Sequence, residues 1–473
     1  MNNVIAVAYI VAFSLFIYGL MGLTGPRTAV RGNWIAATGM AIAVIATLVL
    51  IRHTTNWPLI VAGLLVGVVL GVPPARLTKM TAMPQLVALF NGVGGGTVAL
   101  IALAEFIDTD GFSTFHHGES PTAHIVVASL FAAIIGSISF WGSLIAFGKL
   151  QEILPGRPIG IGKAQQPLNI LLLLAAIASA VVIGIAAHPG GGAPLWWMIG
   201  LLAAAGVLGL MVVLPIGGAD MPVVISLLNA MTGLSAAAAG LALNNTAMIV
   251  AGMIVGASGS ILTNLMAKAM NRSIPAIVAG GFGGSGVAVS GGCDGDKVVK
   301  ATSAADAAIQ MAYANQVIVV PGYGLAVAQA QHAVKDLASM LEQRGVPVKY
   351  AIHPVAGRMP GHMNVLLAEA DVEYDAMKEM DDINGDFSRT DVTIVIGAND
   401  VTNPAARNDP SSPIHGMPIL NVDQSKSVIV LKRSMNSGFA GIENPLFYAD
   451  GTTMLFGDAK KSVSEVAEEL KVL

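Results

Sequence analysis

The chain has 473 residues, of which 54% are hydrophobic and 11% charged, with 54 glycines and a net charge of −4. An average soluble domain carries about 25% charged residues, so this composition excludes a disordered, collagen-like, disulfide-stapled or ordinary soluble protein and points to a membrane protein. The single cysteine, Cys293, excludes an intrachain disulfide and a cysteine-based metal cluster, and the net charge implies no affinity for nucleic acid.

Charge is spread unevenly. Residues 1–272 hold 10 Lys and Arg against 6 Asp and Glu, while residues 273–473 hold 15 against 23. The expected organisation is a transmembrane domain at 1–272, a linker at 273–308 and a soluble domain at 309–473. Apolar runs fall at 4–23, 33–51, 57–72, 85–106, 124–148, 167–187, 194–216, 222–243 and 247–268. Most approach the ~20 residues that cross a ~30 Å hydrocarbon core, so nine spans are expected, the third being short. The first run has no basic segment before it and no small-residue cleavage site, so it reads as a span and not as a cleaved signal peptide.

Loops after odd-numbered spans hold Arg27, Arg31, Arg76, Lys79, Lys149, Arg157 and Lys163, and Lys268 and Arg272 follow the last span. Loops after even-numbered spans hold only Arg52, and 107–123 carries Asp108, Asp110, His116, His117 and Glu119 without Lys or Arg. The positive-inside rule then puts the N-terminus outside and the C-terminal domain in the cytoplasm or an equivalent matrix, which requires an odd number of spans.

Beyond the spans, short Val- and Ile-rich runs alternate with helical patterns, the rhythm of a doubly wound α/β, Rossmann-like sheet. Strands are expected at Gln316–Val320, Pro347–Ile352, Val392–Ile396, Met417–Val422, Ser427–Leu431 and Thr453–Phe456, and helices at Ala326–Gln343, His362–Ala370 and Ala459–Val472. After the first strand stands Gly322-Tyr323-Gly324, the first two glycines of a dinucleotide fingerprint, with Val327 in place of the third. The first glycine permits the turn, and the second lets a pyrophosphate approach a helix N-terminus. A plain tight turn would use the same residues.

An NAD site places an acid at the end of the second strand to accept from the ribose hydroxyl. Here that strand ends Ile352-His353-Pro354 without one, and Val355-Ala356-Gly357-Arg358-Met359-Pro360 follows. Lys432 and Arg433 sit together at the end of another strand. Cations suit a 2′-phosphate, so NADP(H) is favoured over NAD, the alternative being solvated surface charge. Two polar, Gly- and Asn-rich loops leave strands at their C-terminal ends, where open α/β sheets bind ligands. They are Gly397-Ala398-Asn399-Asp400-Val401-Thr402-Asn403-Pro404 and Ser434-Met435-Asn436-Ser437-Gly438-Phe439-Ala440-Gly441. Turn chemistry would explain either alone.

Several runs together resemble a known family: Pro321–Val334, His353–Glu369, Ile396–Ala406, Lys432–Phe447, Leu455–Lys460, Ala146–Leu150, Gly217–Asn229 and Lys268–Ser273. They are similar to the β subunit of the proton-translocating NAD(P) transhydrogenases, over essentially the whole chain. The resemblance implies hydride transfer from NADH to NADP+ coupled to inward proton movement. It also implies an α-subunit partner that supplies the NAD(H) domain and further helices, a likeness to dimers of an αβ unit, and a multi-pass place in the cell inner membrane. Such a transfer needs close approach of two nicotinamides and exclusion of water, not an acid–base side chain. No nucleophile–base constellation or metal motif stands in the soluble part. Driving force would come from the membrane, where one charge is worth ~2.3 kcal/mol per 100 mV.

The same resemblance implies residue roles. Tyr323 and Gly324 would face a dinucleotide bound in the reverse of the usual orientation. Lys432, Arg433 and Ser434 would hold the 2′-phosphate, while Ala356–Met359 and Ala398–Thr402 would line the cofactor. Asp400 would sense proton and redox state, Ser434–Phe439 would cover the nucleotide, and Asp458 and Ala459 would close the adenosine side. Asp220 and Asn229, roughly 13.5 Å apart at 1.5 Å per residue, match positions implicated in proton coupling. An N-terminal helix acid and ordinary helix–helix glue are their simpler roles.

Many family members carry a mid-membrane histidine where this chain has Asn91, and none of its nine histidines lies mid-span. A histidine supplied by the partner is the simplest replacement. The competing class is a channel or transporter regulated by a cytoplasmic NADP-sensing domain, which predicts a selectivity filter or broken helices rich in ion ligands. No such segment stands out.

Overall fold

The computed structural model describes residues 2–23, 25–79, 82–113, 122–156, 158–188, 191–278, 299–358, 361–412, 414–438 and 440–473. His116, His117, Glu119, Arg157, Cys293, Met359, Pro360 and Phe439 lie outside this set. The chain divides into two compact units, Met1–Ile216 with Val224–Thr263, and Gly217–Val223 with Asn264–Leu473.

Among the described residues, nine helices are long and apolar enough to cross a membrane. They are α1 (Asn2–Gly22), α2 (Pro26–Leu50), α3 (Trp57–Leu77), α4 (Met83–Asp108), α5 (Ala123–Leu150), α6 (Gln165–Ala186), α7 (Leu195–Val213), α8 (Met221–Ala242) and α9 (Thr246–Ala269). Each expected span is present, and the third runs five residues further than its apolar run, to Leu77. Within hydrocarbon the hydrophobic effect does not favour one apolar helix surface over another, so association depends on close packing and interhelical hydrogen bonds.

Both devices are present. A Cβ on Gly95 of α4 would lie 2.9 Å from the Gly136 carbonyl oxygen of α5, so the two backbones are in direct contact there. Gly233 of α8 meets the Gly256 backbone of α9 in the same way, at 2.5 Å. Ser139 Oγ on α5 donates to the Leu228 carbonyl on α8 at 3.1 Å. Thr263 Oγ1 on α9 donates to Ser226 Oγ on α8 at 3.0 Å. Lys149, buried at the end of α5, donates to the carbonyls of Leu214 at 2.5 Å and Ile216 at 2.7 Å, and so joins α5 to the end of α7. By contrast, α3 has no buried residue. A helix apolar on every side requires an apolar surrounding, which lipid or another chain can provide.

In the C-terminal unit, a short helix α10 (Ile274–Val278) precedes α11 (Ala304–Ala312), whose Ser303 side chain accepts from the Asp306 amide as an N-cap. This helix begins within the stretch expected as a connector and buries Ala307, Ala308 and Met311 in the domain core. The sheet follows, with strands β1 (Val317–Pro321), β2 (Val348–Ile352), β3 (Met377–Glu379), β4 (Val392–Ile396), β5 (Ser427–Lys432) and β6 (Thr452–Phe456). All are parallel, in the order β3-β2-β1-β4-β5-β6. Strands β1 and β4 are buried at every residue, which explains their unbroken Val and Ile runs. One face is covered by α11, α12 (Tyr323–Val327), α13 (Gln331–Gln343), α14 (His362–Glu369) and α17 (Ala459–Val472). The other packs Phe387, Leu420, Leu446, Phe447 and α15 (Met380–Ile383). Between β4 and β5 lies α16 (Ala405–Asn408).

Three expectations are corrected. Met417–Val422 is an extended loop, because side chains hold its backbone: Pro418 has no N–H, its carbonyl lies 2.8 Å from His353 Nε2, and Asn384 bonds both the Ile419 carbonyl and the Asn421 amide. The single expected helix Ala326–Gln343 is two, α12 and α13, broken where Gln329 takes φ 49° and the Ala330 amide returns to the Leu325 carbonyl. The third is β3, a short Met-Lys-Glu strand that pairs with β2 without any apolar run to announce it.

Two buried histidines fix loops in this unit. His353 Nδ1 accepts from the Val355 amide, so its proton is on Nε2 and is donated to Pro418. His362 Nδ1 accepts from the Arg358 amide at 3.1 Å. Burial lowers each to about 4, and for His362 the nearby Arg358 charge adds to the effect. Both are therefore neutral in the fold and readily protonated when unfolded. Their contribution to stability is present above the ordinary histidine value of about 6.5 and is lost as pH falls through about 4. The thermal midpoint of the sheet domain in the full-length protein, followed by tyrosine near-ultraviolet dichroism, is expected to fall between pH 6.5 and 4. In a His353→Asn variant the acid slope should be shallower, and an unchanged slope would refute the assignment.

Candidate nucleotide site at the carboxyl edge of the sheet

Strand order reverses between β1 and β4, and their carboxyl ends, Pro321 and Ile396, are in register. A crevice at such a switch point is where open α/β sheets bind ligands. The loops after β1, β2, β4, β5 and β6 all leave this edge, and they carry all the soluble-domain residues selected from sequence.

The two central loops are locked together by backbone contact. The Gly322 amide donates to the Ile396 carbonyl at 2.9 Å and the Gly324 amide to the Gly397 carbonyl at 3.0 Å. A Cβ on Gly322 would lie 2.3 Å from the Ala398 nitrogen, and one on Gly324 would lie 2.7 Å from Gly397 Cα. Gly397 itself has φ 68°. The missing side chains therefore accommodate a neighbouring loop, and the helix that follows, α12, is only five residues long. The long helix with an open N-terminus that the fingerprint anticipates is not formed.

After β2, Val355, Gly357 and Arg358 are half-buried and Ala356 is buried. The Arg358 guanidinium lies 4.5 Å from the centre of the Tyr323 ring, a cation–π contact that joins this loop to the β1 turn. After β4, Asn399 and Asp400 meet the loop after β5. The Ala440 amide donates to Asp400 Oδ2 at 3.0 Å, and a Cβ on Gly438 would lie 2.5 Å from Asp400 Oδ1. Val401 and Thr402 are buried. Asn444 Nδ2 donates to the Asn399 carbonyl at 3.1 Å and to Asn399 Oδ1 at 3.2 Å, and Asn403 Nδ2 donates to the Glu443 carbonyl at 3.1 Å. Asn399 Nδ2 is buried without a partner.

The two neighbouring cations differ. Lys432 is half-buried, with Nζ 2.5 Å from the Asn436 carbonyl and 4.7 Å from the Phe447 ring centre. Burial lowers its pKa, and the Asp400 charge opposes that shift. Arg433 is exposed, as are Ser434, Met435, Asn436 and Ser437. Among the described residues its side chain meets no carboxylate. After β6, the exposed Asp458 caps α17 by accepting from the Lys460 and Lys461 amides at 3.1 and 3.3 Å, and Ala459 is buried beneath it.

The membrane candidates are in different surroundings. Asn91 is buried and donates through Nδ2 to Ser143 Oγ at 2.9 Å, while its Oδ1 is buried without a partner. Asn229 is half-buried on α8. Asp220 Oδ2 accepts from Arg272 Nη1 at 2.5 Å, with side-chain exposures of 13% and 40%. Sequence reasoning missed Ser143, His353, His362 and Asn444. Only Asn444 carried a signal, the Asn444-Pro445 pair that marks a turn start: its Oδ1 accepts from the Leu446 amide at 3.0 Å.

The donor set at the carboxyl edge fits an anionic nucleotide. It combines an uncompensated arginine, a buried unpartnered amide and loops at the switch point. The family model described as NAD(P) transhydrogenase beta subunit matches residues 5–469. Two relatives named NAD(P) transhydrogenase subunit beta, both from Rhodospirillum rubrum, are each 48% identical over 464 residues, or 98% of this chain and 98% of their own length. With the parallel sheet and nine apolar helices already described, these matches establish that the chain belongs to the NAD(P) transhydrogenase beta-subunit family.

Proposed function

We propose that this chain is the membrane-embedded, NADP(H)-binding subunit of a proton-translocating transhydrogenase. It works with an α subunit that carries NAD(H) and further helices, and its C-terminal unit faces the cytoplasm at the inner membrane. The observation that carries the nucleotide choice is Arg433, exposed at the carboxyl end of β5 and without a carboxylate among the described residues, together with the absence of an acid where β2 ends. When bound, the nicotinamide supplies the hydride acceptor. The chain's own residues bind, orient and exclude water, so no side-chain nucleophile is required.

Strand order supports the reversed orientation. In the usual arrangement the adenosine ribose lies over the second strand, on the β2 side of the switch point. Here the cations are on β5, on the β4 side. A 2′-phosphate held by Arg433 places the adenosine half there and the nicotinamide half toward Tyr323 and Arg358. Lys432, engaged with Asn436 and Phe447, holds the covering loop, while Arg433 is available to the phosphate. Asp400, which accepts from that loop at Ala440, links any change in its charge to the loop's position.

For the membrane unit, we assign Asn91, Ser143 and Asn229 to ordering a hydrogen-bonded path, with Asp220 and Arg272 at the cytoplasmic ends of α8 and α9. Asn91 cannot take up a proton near neutral pH, so the mid-membrane base is assigned to a partner histidine.

Arg433→Ala is expected to weaken NADP(H) binding about 10- to 100-fold, as for loss of a charge-assisted bond of roughly 1.5–3 kcal/mol, with less effect on NAD(H). Calorimetry on the full-length protein checks this, and unchanged NADP(H) affinity would show that Arg433 is only solvated. Asn91→Ala is expected to reduce proton-driven transhydrogenation in vesicles without moving the pH profile near neutrality. A displaced profile would show that Asn91 perturbs a titrating group.

A further inference from the structure

The side chain of Asn399 has a defined direction, and that direction is set from outside its own loop. A carboxamide can be turned two ways, and the choice is decided by its hydrogen-bond partners. The sequence of bonds here starts at backbone. Asn444 Oδ1 accepts from the Leu446 amide at 3.0 Å, and a backbone N–H can only donate. The opposite end of Asn444 is therefore its NH2 group, which donates to the Asn399 carbonyl at 3.1 Å, an atom that can only accept. Both ends of Asn444 are fixed by groups with no alternative role.

The same NH2 group also reaches Asn399 Oδ1 at 3.2 Å. Since Asn444 presents only donors on this side, Asn399 must present its oxygen, and its Nδ2 is turned away. That nitrogen is buried and has no partner among the described residues, which leaves a buried amide donor unsatisfied. It lies beside Gly438, where a Cβ would come within 2.7 Å. The Asn399 carbonyl is held as well by the Thr402 amide at 3.1 Å and Thr402 Oγ1 at 3.0 Å. These bonds fix the Asn399 backbone, and the bond from Asn444 to Oδ1 orients the carboxamide itself. Asn444 is 1% exposed and lies outside the residues that line the proposed site.

We propose that Asn444 is a positioning residue that holds the Asn399 carboxamide with its nitrogen facing the covering loop at Gly438, so that Asn399 acts as a hydrogen-bond donor to an acceptor oxygen of the nucleotide bound beneath that loop. The proposal rests on the nucleotide site assigned above. It adds a residue that acts through another and fixes the sign of the interaction at Asn399: a donor and not an acceptor. Loss of the Asn444 bonds frees the carboxamide to turn and satisfy Nδ2 locally, leaving the nucleotide with a weaker partner.

The test uses Asn444→Ser and Asn444→Asp in the full-length protein in detergent. Serine and aspartate both keep an N-cap acceptor for the Leu446 amide. Serine is too short to reach Asn399, and aspartate faces it with an acceptor. NADPH affinity, read by fluorescence titration, is expected to fall roughly tenfold for Asn444→Ser and further for Asn444→Asp. In an Asn399→Ala background, Asn444→Ser should produce no additional loss. The proposal is overturned if Asn444→Ser lowers the nucleotide-free thermal midpoint but leaves NADPH affinity at the wild-type value. It is also overturned if the full factor persists in the Asn399→Ala background, which would mean a general loosening or a charge effect. Should Asn444→Ser not fold, Asn399→Ala alone decides: a loss of affinity supports the donor role, and wild-type affinity refutes it. If the wild-type chain itself does not bind NADPH, the nucleotide-site reading fails with it, an outcome distinct from a wild-type chain that binds and a variant that is indifferent.

Discussion

Gly322 and Gly324 touch Gly397 and Ala398 so closely that no side chain fits between them. The geometry of the carboxyl edge depends on this contact. It places the end of β1 against the end of β4 at the point where strand order reverses, and two amide-to-carbonyl bonds fix the spacing. Tyr323, between the two glycines, is consequently held where the Arg358 guanidinium can lie over its ring. Asn399 and Asp400, two and three residues beyond Gly397, are held where the loop after β5 can bond them. A residue larger than glycine at 322 or 324 would separate the loops and move all four side chains.

The same contact explains how much was legible from sequence. Nine spans follow from hydropathy because lipid requires every backbone group to be bonded within its segment. Strands β1 and β4 follow from their unbroken apolar runs because both sheet faces are covered. The glycine pair was visible, but its usual meaning did not apply. An open helix N-terminus and a filled loop contact both require glycine at the same spacing, and only the position of Gly397 separates them. Met417–Val422 looked like a strand because a strand and a tethered loop share the same apolar composition. The side chains that tether it, His353 and Asn384, are 64 and 33 residues away from Met417 in sequence and gave no local signal. Asn444 is a further case: its neighbour Pro445 marks a turn, but nothing local indicates that its other end reaches Asn399.

Electrostatics gives the site a direction. Lys432 and Arg433 are adjacent in sequence but alternate along the strand end, so one turns into the protein and the other out. Lys432 meets a carbonyl and an aromatic ring, and burial weakens its hold on a proton. Arg433 is exposed, with five donors suited to a phosphate. A dipeptide that reads as one basic patch thus divides into a cation held by the protein and an exposed one, the one proposed to meet the phosphate. Because both are on the β4 side of the switch point, a phosphate bound there fixes the polarity of a nucleotide lying across the crevice.

The membrane unit solves a different problem. Asn91 and Ser143 form a neutral pair, and burying neutral amides and hydroxyls costs far less than burying an ion in a low-dielectric interior. Such a pair can orient hydrogen bonds, and the unpartnered Asn91 Oδ1 can accept one more, but the pair cannot hold a charge. A carboxylate with an ionic partner near the spans is Asp220, bonded to Arg272 where α8 begins and α9 has ended. Asp220 is 13% exposed and Arg272 40% exposed, so the pair is more open on the arginine side. If protons cross this subunit as proposed, its own residues supply an uncharged path at depth and a charged group at one end. The mid-membrane charge must then be carried by a group from the partner. That division follows from the cost of burying an ion: a path lined by neutral groups lets a proton be held at depth only where a second chain provides the base.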